Sequence, residues 1–134
     1  LNYIVSSHGE YAIEAIKSCG MITGKIDNFY GYAFDGEKNI QGVEHDYEEI
    51  IKNKKLDYKD VTILTDLKSG TPNNAAIMLS AKHSIKDIYT GTSLSDLVFL
   101  AMGENIDSVF QSKLDYSGKV VIEESNGNDE EEED

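Results

Sequence analysis

The sequence predicts an α/β fold: a parallel sheet with helices on both faces. Three observations carry that expectation. Short apolar runs such as YIV (residues 3–5) and VTILT (residues 61–65) alternate with segments whose apolar residues recur every three or four positions. The VTILT run is uninterrupted, as a strand buried on both faces requires, and alternation of strands with helices is the pattern of parallel crossover units. A chain of 134 residues with 40% hydrophobic content suits one domain with a real core and leaves little for a second.

The chain reads as five repeats of one theme, strand then helix. The first strand covers residues 2–6 and its helix residues 9–22, with Ala12, Ile13, Ile16 and Cys19 at helical spacing. Ser7 and Glu10 have the spacing of a capping box. The second strand is expected over residues 28–34. Its helix spans residues 40–52, with Ile40, Val43, Tyr47, Ile50 and Ile51 on one face. After the VTILT strand, Thr71 reads as an N-cap and Pro72 as the first helical residue, where a missing N–H does no harm. The fourth strand is expected over residues 86–90, followed by a helix capped near Ser93 that carries Leu94, Leu97, Val98 and Ala101. Ile106, Val109, Phe110 and Leu114 suggest one more helix, and KVVIEE (residues 119–124) a last strand. Right-handed crossovers leave few topologies, of which the flavodoxin-like order is a natural one.

Composition narrows the function. Six of the thirteen net negative charges lie in the terminal DEEEED run (residues 129–134), leaving seven on the rest. So acidic a body is a poor match for nucleic acid. Residues 126–134 read as an acidic disordered tail after a domain over residues 1–125. No apolar run approaches the roughly 20 residues needed to span a bilayer, so no direct membrane insertion is expected. No signal peptide is visible, although Leu1 in place of Met suggests a trimmed start. A single cysteine, Cys19, permits no intrachain disulfide and fits a cytoplasmic protein. Its place on the apolar side of the first helix makes it a small core residue.

Ligands of open α/β sheets gather beyond the carboxyl ends of the strands, where the strand order reverses. Two loops qualify: SSHGE after the first strand and TDLKSGTPNNAA after the third. Singly, a loop histidine is a surface residue and an aspartate ending a strand is a turn residue. If these strands are neighbours, however, His8 and Asp66 face each other across one crevice. A neutral imidazole is a nucleophile through one nitrogen, and a carboxylate on the other N–H fixes its tautomer and stabilises the cation formed on attack. Gly9 permits close approach to the ring. The helix starting near Pro72 points free N–H groups at the same crevice, forming an anion site suited to a phosphoryl group. His45 and His83 lack this setting, and His83 reads as a favourable charge at a helix C-terminus. GMITGKI (residues 20–26) is one residue short of a phosphate loop and lacks its Ser or Thr. With no dinucleotide, zinc or serine-hydrolase motif present, neither cofactor nor metal is expected, and the phosphoryl donor is another phosphoprotein.

The segments IVSSHGEYAIEAIKSCGMITG and TILTDLKSGTPNNAA resemble the enzyme IIA component of the mannose family in the bacterial phosphoenolpyruvate:sugar phosphotransferase system. Its marks are an apolar strand ending in His-Gly, a helix closing in Met-Ile-x-Gly, and an Asp followed by Gly-Thr-Pro-x-Asn-x-Ala. The resemblance extends to about Glu124 and implies a cytoplasmic phosphocarrier of flavodoxin-like fold. In that family the histidine matching His8 accepts a phosphoryl group from the phosphocarrier protein HPr and passes it to an enzyme IIB component. The residue matching Asp66 holds the imidazole. Thr71 matches a residue lining the phosphate site, where Gly9 and Gly70 are the other expected contacts. Family members are homodimers that exchange a C-terminal strand, for which KVVIEE is the candidate.

The chain also departs from the family, which has Gly-Gly before Thr-Pro where this sequence has Ser69-Gly70 after Lys68. Lys68 is expected to face outward at the partner surface, since pairing with Asp66 would compete with the imidazole. Alternatives of the same fold are the phosphotransfer subunit of a dihydroxyacetone kinase system and a non-catalytic regulatory domain. A flavin-binding module is disfavoured by the lack of a Ser/Thr-rich phosphate loop after the first strand.

Overall fold

The computed structural model describes residues 1–124, so the expected acidic tail lies outside the described residues. Four parallel strands form one sheet in the order β2-β1-β3-β4. They are β1 (Asn2–His8), β2 (Phe29–Phe34), β3 (Val61–Thr65) and β4 (Asp87–Tyr89). Each is followed by a helix: α1 (Tyr11–Thr23), α2 (Ile40–Asn53), α3 (Thr71–Lys82) and α4 (Leu94–Ala101), with α5 (Ile106–Gln111) after them. The expected flavodoxin-like order is therefore present, and β1 and β3 are neighbours, with Ser6 opposite Thr65.

Alternation along the strands divides the core into two layers. Tyr3 and Val5 of β1 and Leu64 of β3 pack with Ala12, Ile16 and Cys19 of α1 and Leu97 and Leu100 of α4. Ile4 and Ile63 face the other way, onto Val43, Tyr47 and Ile51 of α2 and Ala75, Ala76 and Leu79 of α3. The apolar faces read from the periodicity of α1 and α2 are thus the buried ones, and Cys19 is fully buried. Helix α1 lies tight on β2 because Gly31 has no side chain: a Cβ there would stand 2.7 Å from Ile13 Cδ1.

Three expectations are corrected. Residues 119–124 form no strand in this chain, and Val120, Val121 and Ile122 are 78, 81 and 89% exposed. A strand exists only where a neighbouring edge takes up its N–H and C=O groups, and this segment meets none among the described residues of its own chain. The strand–helix theme therefore completes four units, not five. At α1, Ser7 belongs to β1; its hydroxyl accepts from Ala12 N–H (2.7 Å), while Glu10 occupies the N-cap position without a side-chain bond. At α3 the N-cap is Gly70, at φ +101°, and Thr71 is the first helical residue. Only Gly adopts that backbone readily, so the chain turns into the helix one residue earlier than Thr71 suggested. The cap at Ser93 stands as read, reinforced by Asp96 in a reciprocal capping box.

Candidate active site

The site forms where the β1–β3 ladder runs out. Asp66 N–H donates to Ser6 C=O (3.2 Å), the last backbone bond between the two strands. His8 lies two residues further along β1, and its N–H has no strand to pair with. The Asp66 carboxylate takes that place: Oδ2 accepts from His8 N–H at 2.9 Å and lies 2.9 Å from the ring Nδ1. Asp66 Oδ1 accepts from Leu67 N–H at 2.9 Å. The carboxylate is largely covered while the imidazole stands out, with side chains 14% and 45% exposed. The two residues inferred to face each other across the crevice do so.

Burial pushes the Asp66 carboxyl up, but the bonds from His8 N–H, the His8 ring and Leu67 N–H outweigh it and hold it below the ordinary value. Asp66 is therefore ionised at neutral pH and can only accept hydrogen bonds. The Nδ1 in contact with it must carry the proton, which leaves the lone pair on Nε2. That nitrogen faces Gly70. A Cβ on Gly70 would stand 3.1 Å from His8 Cε1 and 3.2 Å from Nε2, so the glycine is needed both for its positive φ and for room beside the ring. Phe34 packs edge-on against the imidazole from β2, with ring centres 5.6 Å apart.

Helix α3 starts directly beyond Gly70. The N–H groups of Thr71 and Asn73 lie in its first turn, where no intrahelical partner exists, and Pro72 has none to leave unpaired. The Thr71 hydroxyl makes no hydrogen bond among the described residues, so it is free to meet an anion. Gly9 contributes differently from the expected phosphate contact: its φ is +59°, and its N–H already donates to Phe34 C=O at 2.9 Å. Its part is to turn the chain sharply after His8. Lys68 is exposed and forms no ion pair among the described residues, in keeping with the outward position expected of it. Leu67, next to Asp66, and Tyr11, at the start of α1, are 56% and 48% exposed.

Sequence reading missed the buried polar layer beneath the site. Ser6 Oγ lies 2.7 Å from Tyr47 Oη, and the Tyr47 hydroxyl donates to Pro72 C=O at 2.8 Å. Periodicity identified Tyr47 as a core residue; that its hydroxyl ties β1 to the start of α3 could not be read from spacing. Asn73, 7% exposed, likewise joins Thr65 to Lys68. The one sequence signal for it is a short amide in the first turn of a helix. Among the described residues no group of three or more His, Cys, Asp or Glu side chains could hold a metal ion, and no helix is long and apolar enough to cross a membrane.

The fold and the sequence have counterparts among known proteins. The structure is similar to the mannose/sorbose-specific IIA subunit of the phosphotransferase system from Enterococcus faecalis, at 24% identity and a TM-score of 0.81 over 93% of this chain and 98% of that one. That likeness bears on the fold. The PTS IIA protein associated with the fucose utilization operon of Streptococcus pneumoniae superposes with a TM-score of 0.76 at 25% identity, over 88% of this chain and 91% of that one. In sequence the chain is 31% identical to the fructose-specific EIIA component of Bacillus subtilis over 98 residues, 73% of this chain and 66% of that protein. It is 30% identical to the sorbose-specific EIIA component of Lacticaseibacillus casei over 111 residues, 83% of this chain and 79% of that one. The model of the EIIA-man family, described as PTS system fructose IIA component, matches residues 2–112 and so takes in both His8 and Asp66. The chain belongs to this family, the mannose-type EIIA components of sugar phosphotransferase systems.

Proposed function

We propose that the chain is a cytoplasmic phosphocarrier in sugar uptake, with His8 as the residue that carries the phosphoryl group. The observation supporting this reading is the single carboxylate oxygen of Asp66 that holds both the backbone and the Nδ1 of His8, leaving Nε2 as the nucleophile. The donor is phospho-HPr and the acceptor an enzyme IIB component. The Nε2 lone pair attacks phosphorus, the N–P bond at the donor histidine breaks, and the donor imidazole leaves with the bonding pair. The Nδ1 proton stays in place, and Asp66 balances the imidazolium that results. The N-terminus of α3 and the Thr71 hydroxyl stabilise the transferred oxygens. Transfer to enzyme IIB reverses these steps. The half-exposed ring suits a protein donor, since a small substrate would be enclosed far more fully.

Among the described residues, the apolar, β-branched segment over residues 119–124 stands exposed and β4 ends the sheet with an open edge. In this reading the segment pairs with a second copy, giving a homodimer. Incubation with phosphoenolpyruvate, enzyme I and HPr, followed by intact-mass measurement, tests the proposal: one acid-labile, base-stable phosphoryl group on His8 is expected. An unlabelled chain, or label on His45 or His83, would overturn it. Deleting residues 119–124 tests the dimer, and a truncated chain that stays dimeric at micromolar concentration would count against the exchange.

A further inference from the structure

We infer that Asn73 is a positioning residue for phosphoryl transfer at His8, an inference that rests on the phosphocarrier reading above. The loop from Leu67 to Gly70 forms the wall beside His8 Nε2, yet it is thinly held. Leu67, Lys68 and Ser69 are exposed, and the wall itself is Gly70, whose missing Cβ leaves the space next to the ring. The Asn73 side chain spans this loop from below. Its Nδ2 donates to Lys68 C=O at 2.8 Å, and its Oδ1 accepts from the Thr65 hydroxyl at 2.9 Å. Thr65 in turn lies 2.9 Å from the Thr90 hydroxyl, so the clamp is anchored to β3 and to the end of β4. One amide therefore fixes the residue just before Asp66, the middle of the loop and the first turn of α3 relative to each other.

An amide suits this place because it supplies one donor and one acceptor in a fixed plane, matching a carbonyl on one side and a hydroxyl on the other. Made from a buried side chain, these bonds leave little play in the loop. The distance between Gly70 and Nε2 then stays set while the charge at the ring changes. Loss of the clamp lets the loop drift, and displacements near 1 Å at a reacting centre cost up to about a hundredfold in rate.

The test uses the full chain with two donors. Phosphoramidate is a small donor whose P–N bond breaks with ammonia as the leaving group, so no docking surface is involved; phospho-HPr is the protein donor. Asn73→Ala is expected to be labelled at His8 about tenfold more slowly than wild type by phosphoramidate, with its near-UV tyrosine signal unchanged. Asn73→Asp keeps the acceptor for Thr65, loses the donor to Lys68 and adds a negative charge that favours the first turn of α3. Its labelling should be slower still, with a deficit that grows as pH rises through titration of the new carboxyl. The near-UV tyrosine signal followed over the same pH range separates the two: positioning leaves that signal unchanged while labelling falls, whereas a merely structural role lowers both together. Should Asn73→Ala fail to fold, Asn73→Asp and Thr65→Val carry the same measurement. Labelling within twofold of wild type in the folded variants overturns the inference while leaving the phosphocarrier reading intact. Wild type labelled by neither donor overturns both.

Discussion

Two histidines in this molecule have a carboxylate at nearly the same distance. His8 Nδ1 lies 2.9 Å from Asp66, and His83 Nε2 lies 3.0 Å from Glu48. Their surroundings are opposite. His8 stands at the carboxyl end of the sheet, beside the N-terminus of α3 and with one ring nitrogen clear. His83 caps the other end of the same helix and lies flat on Tyr58, with ring centres 3.9 Å apart and planes 8° apart. The N-terminal end of a helix attracts an anion and the C-terminal end repels one. A histidine–carboxylate distance therefore does not make a phosphoryl site. In the proposed function, the helix end next to it and a free ring nitrogen set His8 apart.

The largest expected effect is at the nucleophile itself. His8→Ala should abolish phosphorylation by phospho-HPr, whereas His83→Ala should be labelled at the wild-type rate and lose about 1–2 kcal/mol of stability with its stacking and hydrogen bond. Label on a chain lacking His8 would break the comparison outright. Next come the carboxylates. Asp66→Asn should slow transfer at least about tenfold, because an amide can present its donor to Nδ1 and cannot balance the imidazolium. Glu48→Gln should leave the rate unchanged.

Stability against pH sharpens the role of Asp66. Its carboxyl sits below its ordinary value of 3.8, so its contribution to stability is fully present above that pH and is lost as pH falls through the lower folded value. The melting-temperature gap between wild type and Asp66→Asn should accordingly close below about pH 4. A gap independent of pH would assign the effect to packing. Gly70→Ala comes third. It places a Cβ 3.1 Å from the ring at a φ of +101°, and should cost about 1–2 kcal/mol of stability together with most of the transfer rate. The smallest effect is expected at the rim. Lys68→Ala should alter the association rate with HPr or enzyme IIB and its salt dependence, with unfolding unchanged. A variant whose main defect is unfolding would contradict the outward position of this lysine.

Much of the fold was legible because each helix carries its own local signals. Pro72 and Ser93 mark helix starts, and the spacing of Val43, Tyr47 and Ile51 marks a buried face. The segment KVVIEE forms no strand within its own chain for a physical reason. Apolar alternation and β-branching report that a segment suits a sheet, and they cannot report whether an edge lies within reach. The caps near Ser7 and Thr71 were displaced because the polar groups at a helix start can be served from several neighbouring positions. The choice falls to backbone angles such as the positive φ of Gly70.

The order of strands and helices, the parallel sheet, and the two loops that could bear chemistry are set by periodicity and turn residues along the chain. That one oxygen of Asp66 holds both the backbone and the ring of His8, leaving Nε2 as the free nitrogen, follows from the folded arrangement of β1 and β3. The same packing places Tyr47 and Asn73 beneath the site, bonded to Pro72 and Lys68. Hydrogen bonds between residues 58 positions apart follow from strand register and side-chain direction, which no local pattern encodes.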